Sequence, residues 1–321
     1  MVEDYRKLIE AEIKKQKFGT QPKSLYEPIR YIMALGGKRL RPMLTLLSYA
    51  LYKNDVASIT GYAAAVEAFH NFTLMHDDIM DKAPLRRGKK TVHEKWNVNT
   101  AILSGDVMLV KVYEMFSDLD DKKLRNVLRI FNSCAAEVCE GQQWDMEFEM
   151  KAKVSEAQYI EMIRLKTAVL LGFSLELGAL LADAPELEQK SLRDFGVNIG
   201  IGFQLKDDLL DVYADKKKFG KQVGGDIVAN KKTFLLIKAL EKARGNQKKE
   251  LEKWLTAKKF NKSAKIKAVT SIYDELKIPQ FTEQKMNLYF DKGFSSLSMI
   301  PENKKVNPLI GFTKALIDRE S

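Results

Sequence analysis

The stretch Glu67 to Asp81 reads EAFHNFTLMHDDIMD and sets three carboxylates, Asp77, Asp78 and Asp81, into an apolar run. Phe69, Phe72, Leu74, Met75, Ile79 and Met80 surround them. In a helix, positions i and i+4 share a face, so Asp77 and Asp81 point the same way and repel each other. An apolar helix carrying such a cluster calls for a cation, and hard oxygen ligands suggest Mg²⁺. The alternative is a solvated acidic helix end. The motif recurs, however: Asp207 to Asp211 reads DDLLD inside the apolar run IGFQLKDDLLDVY. Two such clusters on separate helices can face each other across a bundle and hold several divalent ions around one polyanion. Chance duplication on solvated faces is the competing explanation.

The rest of the composition agrees with a polyanionic ligand. The 321 residues allow one large domain or two, and 45% apolar content allows a sizeable core. A formal net charge of +10 suggests anionic partners. The acidic pairs argue against a plain nucleic-acid groove, whereas phosphate held by metal plus Lys and Arg satisfies both signs of charge. Cys134 and Cys139 form no CxxC, and three histidines cannot complete a zinc set. Met1 to Lys17 is charged throughout and lacks an apolar signal core. No apolar stretch is long enough to span a bilayer. A soluble cytoplasmic protein is expected.

Helical spacing dominates the chain, and alternating strand patterns are nearly absent, so the expected fold class is all-α. Helices are expected to about Gly19, over Ser24–Leu35, from Pro42 to about Tyr52 and from about Val56 to Asp81. Two more cover Thr100–Leu119 and Lys122 to the region of Gly141, with a loop over Pro84 and Arg86–Lys90. Ser155 and Gln158 have capping-box spacing and open a helix to about Ala182; Asp183 and Glu186 repeat the signal before a helix to about Ala214. A basic loop, Lys216–Lys232, precedes a helix ending near Arg244 and then weaker helices to Arg319. The Lys-rich segment Gln247–Lys267 reads as a solvated helical face. No disordered linker appears, and the chain, 1–321, is read as one domain.

Gly36 to Pro42, GGKRLRP, places Lys38, Arg39 and Arg41 between a glycine turn and a helix start. Glycine backbone and a helix N-terminus approach phosphate closely, Arg41 can grip its oxygens bidentately, and Lys38 supplies a point charge. A surface basic loop is the alternative. Arg86-Arg87-Gly88 follows the same logic just past the first acidic cluster. Lys166-Thr167 lies in an apolar helix, where Lys166 needs an anion or a route to solvent; Lys221 and Lys231 follow the second cluster.

With these motifs in order, the sequence resembles the trans-isoprenyl diphosphate synthases, or polyprenyl synthetases. GGKRLRP, HDDIMD followed by RRG, KT, and FQLKDDLLD with its downstream lysines carry the resemblance, over roughly Leu35 to Thr233. It implies a single bundle of long helices around a deep cavity, usually in a homodimer. It implies Mg²⁺, about three ions per active site, on Asp77, Asp81 and Asp207, with Asp78, Asp208 and Asp211 as supporting acids. Arg86, Lys166, Lys221 and Lys231 match the groups on the allylic diphosphate; Lys38, Arg41, His70 and Arg87 match the isopentenyl diphosphate site. Gln142 and Asp145 resemble a further polar pair near the metals. The Lys166 carbonyl, the Thr167 hydroxyl and the Gln204 amide match positions that stabilise the allylic cation. Isopentenyl diphosphate attacks that cation, and the released diphosphate takes the proton, so few protein bases are needed.

Product length is read from the residues preceding Asp77. An ideal helix places Thr73 about 6 Å deeper than Asp77 on nearly the same face, with Phe72 rotated from it by about 100°. In the family, an aromatic only at the fifth position before the motif, here Phe72, goes with C20 products; aromatics at both positions go with C15. Geranylgeranyl diphosphate is therefore expected, with farnesyl diphosphate second and Phe69 as an additional floor.

Other readings fit less well. Glu67-x-x-His70 is half of a di-iron bundle site, but the other half is missing. His76-Asp77 is the doublet of helical phosphohydrolases, which need more histidines. A class I terpene cyclase does not need Lys38, Arg41, His70 and Arg87, and a regulatory subunit of a heteromeric synthase would usually have lost an aspartate motif. His70 as a core histidine and Phe72 as ordinary packing remain the plain alternatives; His76 and His93 carry no assigned chemistry.

Overall fold

The computed structural model describes residues 1–214 and 223–318. Helices account for nearly all regular structure: α1 (Val2–Lys15), α2 (Lys23–Ala34), α3 (Leu40–Tyr49), α4 (Thr60–Met80), α5 (Val92–Lys95), α6 (Val98–Phe116), α7 (Asp121–Met150), α8 (Glu156–Ile163), α9 (Val169–Leu181) and α10 (Glu186–Tyr213). Six more follow among the described residues: Gly225–Ala229, Phe234–Lys242, Gly245–Thr256, Lys262–Glu275, Ile278–Ser296 and Asn307–Ile317. The expected loop at Arg86–Lys90 contains a minimal hairpin in which β1 (Leu85–Arg86) pairs antiparallel with β2 (Lys89–Lys90). α7 runs to Met150, well beyond Gly141.

The chain divides into two compact units. The first comprises Met1–Asn132, Phe173–Arg193 and Ile300–Phe312. Its core is built on α4, whose Ala63, Ala64, Ala65, Val66, Ala68, Phe69 and Met75 are buried. This apolar face packs on α6, α3 and α1. Lower down, α4 meets an aromatic cluster: Phe69 lies 5.7 Å from Phe72 and 5.0 Å from Phe131 between ring centres. Phe131 also meets Phe116 at 5.6 Å and Phe173 at 5.7 Å.

The second unit comprises Ser133–Gly172, Asp194–Met299 and Thr313–Ser321. One core cluster joins Tyr159, Met162, Ile201, Leu205, Phe234 and Ile237; another joins Leu235, Leu236, Leu251, Val269 and Tyr273. Lys265 lies in this unit with 0% exposure, so the reading of Gln247–Lys267 as a solvated face fails at that residue.

Ser155 accepts from the Gln158 backbone N–H at 3.2 Å, and the Gln158 side chain accepts from the Ser155 N–H at 3.0 Å, a complete capping box. Asp183 does not repeat it. Its backbone is left-handed, with φ 61°, and its carboxylate is taken by Lys53 at 2.5 Å and Lys123 at 2.9 Å. The single helix expected after Ser155 is also interrupted. Arg164–Ala168 forms one wide π turn, which rotates Lys166 and Thr167 away from the α-helical register.

Candidate active site

The first unit gathers most of the expected phosphate ligands. The three cations of GGKRLRP diverge. Lys38 is exposed and Arg41 half-buried, while Arg39, at φ 47°, turns inward and is 3% exposed. Its guanidinium donates to Glu67 at 2.8 Å, Glu10 at 2.8 Å and the Met33 carbonyl at 3.0 Å. Glu67 is thus the buried counter-ion of Arg39. Arg87 donates to the Gly36 carbonyl, and a Cβ on Gly37 would stand 2.8 Å from the Arg87 guanidinium. Glycine at 37, φ 137°, therefore lets Arg87 lie across this turn.

Arg41 Nη1 lies 3.1 Å from His70 Nε2. Burial of the ring, with Arg41, Arg87, Arg86 and Arg39 around it, pushes the His70 imidazole well below its ordinary range. A neutral ring accepts from Arg41 at Nε2 and carries its proton on Nδ1. The linkage has a definite sign: because the folded-state value is depressed, the stability this group contributes is present above the unfolded value near 6.5 and declines as pH falls. Relative to His70→Gln, the wild type should lose at most about 1.4 kcal/mol per pH unit below that point. Urea denaturation at neutral pH and at successive lower values measures this difference; parallel curves for the two proteins would refute it.

The DDIMD aspartates fall into two environments. Asp78 is buried, and Arg86 holds it through Nε at 2.9 Å and Nη2 at 2.7 Å. Burial raises the Asp78 carboxyl even against that ion pair. Asp77 is half-buried, 3.7 Å from Arg86 Nη2, and Asp81 is exposed one turn on. His76 turns toward α6, with Nε2 3.2 Å from the Ile102 carbonyl, and its ring meets Phe72 at 4.8 Å. Thr73 is half-buried, its hydroxyl folded back onto the His70 carbonyl at 2.8 Å, whereas Phe72 and Phe69 are buried.

The second unit repeats the division. Asp207 is exposed, but Asp208 is buried and accepts from the Tyr159 hydroxyl and from the Gln204 amide at 3.3 Å. Burial pushes Asp208 up to about 7 against those hydrogen bonds, with Asp226 adding like charge. Thr167 donates to Gln204 Oε1 at 3.3 Å. Lys166 binds Asp145 at 2.6 Å, with Lys231 3.9 Å from the same oxygen. Burial raises Asp145, but Lys231 and Lys166 outweigh it and hold the carboxyl below its ordinary value. α7 approaches the π turn so closely that a Cβ on Gly141 would stand 2.2 Å from the Lys166 backbone nitrogen. Asp211 accepts from the Asp226 N–H at 3.0 Å. The expected ligand Lys221 lies outside the described residues.

Sequence reasoning missed Asp226 and Tyr159. Asp226 sits in a glycine-led turn with no repeat of the DDxxD pattern, and a tyrosine in an apolar helix carries no signal of its own.

The donor set fits Mg²⁺. Among the described residues, no three His, Cys, Asp or Glu side chains converge into a protein cage. Mg²⁺ is usually held by one or two carboxylates plus substrate phosphates, and each motif leaves two carboxylates within reach of solvent: Asp77, half-buried, and Asp81, exposed, in the first, and Asp207, exposed, and Asp211, half-buried, in the second.

The comparisons agree on one family. A family model described as polyprenyl synthetase matches residues 22–273. The short chain isoprenyl diphosphate synthase of Methanocaldococcus jannaschii is 46% identical over 228 residues, 71% of this chain and 69% of that one. The geranylgeranyl pyrophosphate synthase of Geoglobus acetivorans is 36% identical over 100% of this chain and 98% of its own. A crystal structure of a geranylgeranyl pyrophosphate synthase superposes with a TM-score of 0.94 at 41% identity, covering 100% of this chain and 99% of that one. The geranylgeranyl pyrophosphate synthetase from Pyrococcus horikoshii Ot3 gives 0.92 at 33% identity, covering 99% and 97%. The chain belongs to the polyprenyl synthetase family and is a trans-prenyltransferase of the all-α isoprenoid synthase fold.

Proposed function

We propose that the chain condenses isopentenyl diphosphate head-to-tail with dimethylallyl, geranyl or farnesyl diphosphate and stops at geranylgeranyl diphosphate, C20. The allylic C–O bond breaks, and its electron pair leaves with the diphosphate. The isopentenyl double bond then attacks the carbocation, and the new cation loses a proton to the released diphosphate. When bound, Mg²⁺ supplies charge stabilisation on the leaving diphosphate. Asp77, Asp81 and Asp207 would hold it, about three ions in all, and Asp78, Asp208 and Asp211 would support those ligands. Arg86, Lys166, Lys221 and Lys231 bind the allylic diphosphate. Lys38, Arg41, His70 and Arg87 bind isopentenyl diphosphate; a neutral His70 suits the second role by orienting Arg41 without adding charge. Thr167 and Gln204, already hydrogen-bonded to each other, stabilise the cation together with the Lys166 carbonyl.

The observation that carries the product length is the contrast between Thr73, small and half-buried, and Phe72, buried against Phe69 and His76. A chain growing past Thr73 would end on Phe72, with Phe69 beneath. The names of the relatives support the same length. Product analysis by mass spectrometry tests it. The wild type should make mainly C20, Phe72→Ala should lengthen the product by one or more isoprene units, and Thr73→Phe should shorten it toward C15. Unchanged lengths in both variants would place the floor elsewhere.

We read the chain as one polyprenyl synthetase domain, since the family model runs through segments of both units. A homodimer is supported by α6, which leaves Ile102, Leu103, Val110 and Tyr113 exposed, an apolar face that a second copy would cover. Sedimentation at the single-chain mass would sink the dimer. No helix among the described residues is long and apolar enough to cross a membrane, and diphosphate substrates support a cytoplasmic placement.

A further inference from the structure

Lys265 is the one lysine among the described residues with 0% exposure, and nothing in the reaction above uses it. It projects from the helix Lys262–Glu275 into the turn that follows the second aspartate motif. Its ammonium donates to Asn230 Oδ1 at 2.6 Å and to the Val228 carbonyl at 3.2 Å, with the Phe260 ring centre 4.3 Å away. Among the described residues no carboxylate pairs with it. Burying an ammonium on neutral oxygens is costly, so the two hydrogen bonds must fix something a packed apolar side chain would not.

They fix a turn with chemical contents. Asn230 is left-handed at φ 57°, and its amide donates to the Leu255 carbonyl at 3.1 Å. The adjacent Lys231 N–H donates to the Asp226 carbonyl at 3.0 Å, and the Asp226 N–H donates to Asp211 Oδ2 at 3.0 Å. Lys231 Nζ in turn lies 3.9 Å from Asp145, the partner of Lys166. Asp226, Asn230, Lys231 and Lys265 line one small enclosed cavity. The ammonium therefore sits behind a turn whose front edge carries Asp226 and Lys231 to the second motif.

We propose that Lys265 is a positioning residue: by clamping Val228 and Asn230 it fixes Asp226 and Lys231 beside Asp211 and Asp145, and so sets affinity for the allylic diphosphate with its Mg²⁺. The proposal rests on the allylic assignment of Lys166 and Lys231 made above.

Two variants test it. Lys265→Met keeps the stem and removes both donors. Asn230→Gly keeps the left-handed backbone and removes the principal acceptor. Each should raise the KM for the allylic diphosphate about tenfold, the scale typical of residues that orient metal and ligand groups, and leave the KM for isopentenyl diphosphate within about twofold. The rise in melting temperature that Mg²⁺ with inorganic pyrophosphate gives the wild type should shrink by about half. A merely structural lysine would lower yield or kcat and leave the allylic KM and the pyrophosphate shift unchanged; that result in Asn230→Gly overturns the proposal. If Lys265→Met does not fold, Asn230→Gly decides alone. Lys166→Ala is measured beside them. A normal allylic KM there would refute the underlying site assignment, whereas a raised one beside normal values in the two test variants would remove the role of Lys265 alone.

Discussion

Excess chelator should reduce prenyl transfer below detection, and Mg²⁺ added beyond the chelator should restore it. The reason lies in the accessible carboxylates. Asp77 lies in the last turn of α4 and Asp81 caps its C-terminus, where the Asp81 N–H donates to the Asp77 carbonyl at 2.8 Å. Their charges would repel a diphosphate unless a cation lay between. Arg86 cannot fill that role alone, because Asp78 already holds it by 2.7 and 2.9 Å contacts. Asp77→Ala and Asp207→Ala should each lower kcat about a hundred- to a thousandfold, as expected for a lost charge-stabilising group at the leaving oxygens. The KM for isopentenyl diphosphate should move far less. Incorporation of labelled isopentenyl diphosphate across a Mg²⁺ titration measures both effects, and full activity in chelator would end the metal assignment.

The spacing of DDxxD was enough to point to a metal-assisted site, but it treats all three aspartates alike. What separates Asp78 from Asp77 is which side of the helix meets Arg86, a residue eight positions on whose approach depends on the β1–β2 hairpin. Asp208 is separated from Asp207 by Tyr159, a partner 49 positions away. Local patterns were legible where their partners were local. The Ser155 capping box needed only Gln158, while Asp183, with the same spacing, was drawn off by Lys53 and Lys123 from distant helices. The aromatic floor shows the same limit. Phe69 and Phe72 could be read from α4, but Phe131, which meets Phe69, and Phe173, which meets Phe131, belong to other helices and carry no motif. A π turn at Lys166 leaves no mark in hydrophobic periodicity, and Gly141, which comes close to its backbone, lies on another helix.

GGKRLRP provides the sharpest contrast, because adjacent cations should fail in different ways. Lys38→Ala should weaken isopentenyl diphosphate by ~1.5–3 kcal/mol, about ten- to a hundredfold, as for the loss of one charged hydrogen bond. Its exposed side chain adds little to the fold, so the unfolding midpoint should barely move. Arg39→Ala should do the reverse. Glu67, 2% exposed, would lose the guanidinium 2.8 Å away, and Glu10 would lose the same partner. Removing one member of a buried ion pair costs about 3–5 kcal/mol, because the remaining charge is left uncompensated. Much of that loss should return in the Arg39→Ala, Glu67→Ala double variant, since no lone buried charge then remains. Denaturant midpoints for the three proteins, set beside isopentenyl diphosphate KM values for Lys38→Ala and Arg39→Ala, separate the two roles. A stable Arg39→Ala enzyme with a weakened isopentenyl site would mean that Arg39 leaves Glu67 to bind phosphate. The left-handed turn at Arg39, φ 47°, argues against that, because its side chain is 3% exposed while the adjacent Lys38 stays at the surface.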